Sequence, residues 1–214
     1  LLPFMVLAIV ADALSSMSSY VSETVGKVLR AASVAVVIIG VIMLLKVLPY
    51  SDLHIDYVRN YVDDIAVFMV GVGIVKVGSI LLGILTPLLN SAGGFLVFLA
   101  LSRILSRIPV EFVSSLSPAI FYAGIAFSAL TLMTLMAFSK NEKVAELGRY
   151  IGEKVKAYTF YSFLAAFYLF SLKDILVRYA AYLREYMPFA EIGFAAFFAL
   201  MIADGVYTHF NRER

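Results

Sequence analysis

The sequence predicts an all-α fold: a polytopic integral membrane bundle of about seven transmembrane helices, six if the segment 93–110 is re-entrant. Composition is the first observation behind this, since 62% of the 214 residues are hydrophobic and only 15% are charged. Soluble domains are roughly 45–50% apolar, and no soluble fold of this length has the interior to hide the excess. The mean hydropathy of +0.94 says the same. The second observation is length, because the apolar runs approach the ~20 residues with which a helix crosses a bilayer core. The third is pattern: the runs are continuously apolar and do not alternate at period two, which favours helices over a barrel.

The spans are expected at 1–20, 31–50, 64–88, 93–110, 116–138, 157–176 and 188–209. The first opens on Leu1 to Val10, apolar and without a basic leader or initiating Met, and reads as a spanning helix whose start is missing instead of a cleaved signal. A basic loop with Lys27 and Arg30 follows, then the second span, whose Lys46 lies four residues before Tyr50 and snorkels to the interface. The stretch from Ser51 to Asp64 carries four aspartates with Arg59 and His54, a place to attract an external cation, and its Asp63-Asp64 reads as an isolated pair at a membrane edge.

In the third span Lys76 stands twelve residues from Asp64 and twelve from Leu88, near the hydrocarbon midplane. The fourth, 93–110, is short enough to span or to be re-entrant. Pro87, Pro118 and Gly93-Gly94 mark helix starts, helix ends or a re-entrant break. After the fifth span, Val144, Leu147, Ile151 and Val155 recur at helical spacing with Lys143, Glu146, Glu153 and Lys154 elsewhere on the wheel. That segment is either an amphipathic interfacial helix or an extension of the flanking spans. The sixth ends near Lys173-Asp174, and the seventh carries Glu191 near its start, favourable to the helix dipole, and Asp204 near its end.

Orientation follows the basic residues of the loops. Lys27, Arg30, Lys140, Lys143, Arg149, Lys154, Lys156, Arg212 and Arg214 fall on one side; Arg59, Arg103, Arg107, Lys173, Arg178 and Arg184 fall on the other. With seven spans the larger group puts the C-terminus in the cytoplasm; if 93–110 is re-entrant, the two sides nearly balance and the orientation is open. The chain is one transmembrane domain, 1–214. Tyr57-Val58-Arg59-Asn60-Tyr61 resembles Tyr182-Leu183-Arg184-Glu185-Tyr186, each before a span, which suggests repeat A at 1–90, a connector helix at 91–112 and repeat B at 113–210. The halves are parallel if the connector spans and inverted if it does not.

Several chemistries are excluded. Cysteine is absent, which removes disulfides, thiolate catalysis and Cys-ligated metals, and only His54 and His209 are left as imidazoles, so no metal or cofactor is expected. Basic residues are scattered instead of striped, which argues against nucleic acid. Glutamine is absent and asparagine occurs four times, a depletion that fits a thermophile. No phosphate loop, metalloprotease, serine-hydrolase, paired-aspartate phosphotransferase or potassium-filter motif occurs, so enzymatic activity is not favoured.

The chemistry that remains centres on Lys76. Gly71, Gly78 and Ser79 share roughly one face with Gly73 nearby, which predicts a close helix neighbour and a Lys76 turned inward. Counting rise from the cytoplasmic helix ends puts Lys76 about 18 Å deep, Asp12 about 12 Å and Asp204 about 9 Å, so Asp12 and then Asp204 are its expected partners along a substrate or ion pathway. Arg103 and Arg107, on one face at i, i+4, suit an anionic ligand or a lipid headgroup, or simply snorkel from a helix end. Two functional expectations follow: a small-solute or ion transporter or channel-like protein, and a non-catalytic structural or accessory subunit of a membrane complex. The partners expected are the bilayer, an ion or small molecule, and a homo-oligomer or larger membrane assembly.

Overall fold

A computed structural model describes residues 2–49, 56–81, 83–172 and scattered helical positions between 188 and 203. Among the described residues there is no strand. Seven α-helices follow in order: α1 Leu2–Met17, α2 Glu23–Val47, the single turn α3 Asp56–Arg59, α4 Val62–Leu81, α5 Leu85–Ser106, α6 Glu111–Met133 and α7 Glu142–Phe167. A 3-10 segment, Thr134–Phe138, prolongs α6, and a π-helical turn, Tyr168–Leu172, closes α7. Four of these are long and apolar enough to cross a membrane: α2, α4, α5 and α6 with its extension. The apolar α1 is shorter.

Contacts run from each long helix to the next in chain order, and facing residues pair the start of one with the end of its neighbour. Ala11 meets Ser33 across α1 and α2, Ile38 meets Gly73 across α2 and α4, and Ser102 meets Ser117 across α5 and α6. The described helices therefore form an antiparallel row, α1-α2-α4-α5-α6-α7. The ends of α1, α4 and α6 and the starts of α2, α5 and α7 lie at one rim. The basic residues Lys27 and Arg30 therefore share that rim with the start of α7. Arg59, Arg103 and Arg107 lie at the opposite rim.

Small residues build the row. The buried apolar side chains are Ala and a few β-branched residues, such as Ala100, Ala119 and Ala123 at zero to 1% exposure. Among the described residues, Asp64 is the largest side chain that is fully buried. Gly71 and Gly93 touch backbone to backbone: a Cβ on Gly71 would sit 2.7 Å from the Gly93 carbonyl oxygen, and one on Gly93 would sit 2.6 Å from the Gly71 oxygen. Between α5 and α6, Gly94 receives the Phe127 ring and Gly124 receives Phe98. Two serine pairs close the same seam. Ser91 Oγ and Ser128 Oγ lie 2.6 Å apart, each reaching the other's carbonyl oxygen at 3.0 and 3.1 Å. Ser102 Oγ donates to Ser117 O at 2.9 Å. This is membrane-type packing, where close backbone approach and hydroxyl bridges replace the hydrophobic effect.

Several expected boundaries move. The third span ends at Leu81, not 88, because Gly83 takes a left-handed φ of 79° and turns the chain, and α5 begins at Leu85. The fourth run is thereby a full helix of 22 residues instead of the short 93–110. Its Gly93-Gly94 is a contact surface inside that helix, and Pro87 falls in its first turn, where the missing N–H has no intrahelical partner in any case. Pro118, expected at a helix start, a helix end or a break, lies inside α6. Helix α2 starts eight residues earlier than 31, because Glu23 and Lys27 pair at 2.6 Å in its first turns. The segment 141–156 is continuous with the sixth run in α7, capped by Asn141 Oδ1, which accepts from the Lys143 N–H at 3.1 Å. Its buried stripe, Ala145, Gly148, Ile151, Val155 and Thr159, packs on α6 and its extension. Residues Ser51 to Ile55, Lys173, Asp174, the Tyr182–Tyr186 motif, Glu191, Asp204 and His209 lie outside the described residues, as does most of the seventh run.

Candidate functional site

The inward-facing charge of the described row is Asp64. It is the third residue of α4, where the helix dipole already favours a carboxylate, and its side chain is 0% exposed. Two turns of α5 face it. Arg103 Nε lies 3.0 Å from Asp64 Oδ1, and Arg107 Nη1 lies 2.6 Å from Oδ2. Arg107 Nη1 also donates to Asn60 O at 2.6 Å, and Tyr61 Oη donates to Arg107 O at 3.3 Å. The carboxylate thus sits behind two guanidinia whose side chains remain 49% and 42% exposed. One negative charge holds two positive ones, so the cluster carries a net +1.

The hairpin makes this meeting necessary. With the chain reversing at Gly83, Asp64 stands nineteen residues before the turn and Arg103 twenty after it, so antiparallel helices bring them level. Asp63, its sequence neighbour, points away: it is 85% exposed and lies 3.8 Å from Lys46. The Asp63-Asp64 pair is therefore not isolated at a membrane edge. Asp64 is the partner of both arginines, and their face at i, i+4 is directed at it.

Lys76 is placed differently from its expectation. It lies five residues before the end of α4, not at the centre of a longer span, and it is exposed together with Val72 and Ser79 on one helical stripe. Gly71 and Gly78 face α5 and Gly73 faces α2, so the glycines form the inward surfaces and the lysine lies between them on the outside. Close packing of α4 is as expected; the inward direction of Lys76 is not. Asp12 is also exposed, five residues before the end of α1. No ion pair joins Asp12 and Lys76 among the described residues. Yet they share a level. Ala11 is level with Ser33 through a 2.8 Å hydrogen bond, Ile38 is level with Gly73, and stepping along α2 by helical rise puts Asp12 within about 5 Å of the height of Lys76. Asp204, the third member of the expected pathway, lies outside the described residues.

No group of three or more His, Cys, Asp or Glu able to hold a metal ion occurs among the described residues. The candidate site is thus an ion cluster at one rim and two exposed, opposite charges at a common depth near the other. No protein-family model, curated protein or solved structure matches the chain.

Proposed function

We propose that this chain is a non-catalytic structural or accessory subunit of a membrane assembly, either a homo-oligomer or a larger complex. One observation carries the reading: Asp12 and Lys76 are exposed, at one level, on helices rich in lipid-compatible residues. An ionised side chain facing hydrocarbon costs several kcal/mol, and a charge lying short of a helix end calls for snorkelling or for another polar surface against it. A partner surface supplies that cover, and among the described residues the single row of helices puts no further helix over either charge. The experiment is a mass measurement in nanodiscs. A particle heavier than the 23.6 kDa protomer is expected, with Lys76→Met leaving the melting temperature of the isolated chain unchanged or raised.

A second reading, a small-solute or ion transporter or channel-like protein, draws support from the same pair, since an acid and a base at one depth are the elements of a relay. Proteoliposomes separate the two. Flux through a single copy that Lys76→Met abolishes while the fold survives would replace the subunit reading with transport, and flux indifferent to Lys76 would remove that residue from any pathway.

A further inference from the structure

The Asp64 cluster has donors left over, and they face outward. Arg103 through Nε and Arg107 through Nη1 are ion-paired to Asp64, Arg107 Nη1 also donates to Asn60 O, and among the described residues the other N–H groups of these two part-exposed guanidinia have no acceptor. The carboxylate behind them is fully buried and neutralises only one of the two charges. Across the described part of this rim, Lys46, Arg59, Arg103 and Arg107 are matched by Asp56, Asp63, Asp64 and Glu111, so the positive excess is local to the two arginines that share Asp64. The two guanidinia are held in place before any ligand arrives, so little side-chain entropy is lost on binding.

We propose that Arg103 and Arg107, fixed from behind by Asp64, bind the phosphate of an anionic membrane lipid at the rim where α5 ends. Paired planar forks match phosphate oxygens, and an arginine cluster beside a spanning helix meets headgroups at that depth. The surroundings favour a lipid over a free anion. Val110 and Phe112, just past the arginines at the start of α6, are 51% and 58% exposed and offer apolar surface to an acyl chain next to the charges. The inference is independent of the subunit reading, because it needs only one copy of the chain.

The test is native mass spectrometry of protein released from nanodiscs of mixed phosphatidylglycerol and phosphatidylcholine. The wild type is expected to retain phosphatidylglycerol preferentially, and the preference should fall as salt rises. Replacing both arginines alone strands a buried carboxylate, so the decisive variant is D64N/R103Q/R107Q, which neutralises the whole cluster at once. It should keep its melting transition and lose the preference by about tenfold or more, as expected for losing a charge-assisted contact. A second variant, R103K/R107K, keeps the charge and loses the forks, and should fall between the two. Equal retention of the two lipids by the wild type, or an unchanged preference in either folded variant, overturns the proposal. Displacement of the lipid by millimolar inorganic phosphate, with the same dependence on the arginines, overturns the lipid assignment in favour of a free anion.

Discussion

At the residue scale, the contrast between Asp64 and Asp63 shows how position decides what a carboxylate does. Both open α4, but one helical step turns Asp64 into the seam with α5 and Asp63 out toward Lys46. The Lys46–Asp63 contact, at 3.8 Å between exposed groups, is of the kind that contributes under about 1 kcal/mol. The Asp64 pairs belong to a different class. Removing both positive partners leaves a charge with no exposure and no neutralisation, and R103Q/R107Q is expected to lose about 3–5 kcal/mol. D64N/R103Q/R107Q, with no charge to strand, should recover most of that loss. Equilibrium unfolding in detergent measures both, and equal stability of the two variants would show that Asp64 is solvated and not buried. Gly83 makes a separate demand. Its φ of 79° costs a side-chain-bearing residue about 1–2 kcal/mol, although open space surrounds it, so Gly83→Ala should destabilise the hairpin by that amount. Gly83→Asn should cost less.

At the element scale, glycines and serines carry the helix contacts. Gly71→Ala would place its Cβ 2.7 Å from the Gly93 oxygen and 2.9 Å from the Val97 nitrogen. These are backbone atoms that cannot swing aside, so α4 and α5 must separate, at an expected cost of about 1–3 kcal/mol. Gly152→Ala is the control. Its nearest neighbour is a Thr134 methyl at 3.7 Å, ordinary contact, and a helical glycine replaced by alanine gains propensity, so no loss is expected there. The α5–α6 register is tested by S91C/S128C. The hydroxyls are 2.6 Å apart and the natural chain has no cysteine, so oxidation should give one intramolecular disulfide, visible as a mobility shift of the monomer. A dimer band instead would place the two helices in different molecules.

Much of this scale is legible in the sequence, and the failures share one cause. Apolar content and run length identify the helices, and the glycines of the third run announce a close neighbour. The turn at Gly83 is hidden because Leu81-Leu82-Gly83-Ile84-Leu85 contains no polar residue to mark a loop. With the third run carried on to 88, Lys76 falls at the middle of a span and Asp64 faces nothing in particular. Moving the reversal to Gly83 brings Lys76 toward a helix end and sets Asp64 against Arg103. One turn therefore hides the site, not its own residues, since the arginines at i, i+4 are plain in the sequence. The polar segment before residue 31 was likewise hidden as helix because charge in a first helical turn reads the same as charge in a loop.

At the scale of the whole molecule, the described helices stand in file, with each packed mainly on its chain neighbours. Such a row buries little large apolar surface: Met5, Ile9, Ile39 and Met43 are 45–67% exposed, as befits contact with lipid or with another protein. Cysteines at Asp12 and Lys76, introduced together into the natural cysteine-free chain, ask which of these it is. Cross-linking between copies is expected if a homo-oligomer covers both, and protection of Lys76→Cys by a different chain is expected in a larger complex. Full reactivity of both toward a water-soluble reagent in nanodiscs would mean that water, not protein, covers them. The relation between the two halves is a further expectation at this scale: superposing α1, α2 and α4 on α6, α7 and the seventh run should align them if the chain is duplicated, and unrelated packing would dispose of the idea.

The hairpin of α4 and α5 also bears on how the chain enters the membrane. Asp63, Asp64, Arg103 and Arg107 all stand at its open end, and its tip between Leu81 and Leu85 is wholly apolar. The pair can therefore be delivered into the bilayer as one wedge, tip first, with those four charges left on the side from which it came. Asp64 then pairs with the arginines without any of them crossing. Lys76 alone must be carried most of the way, and its long stem is suited to finding the far surface once it arrives.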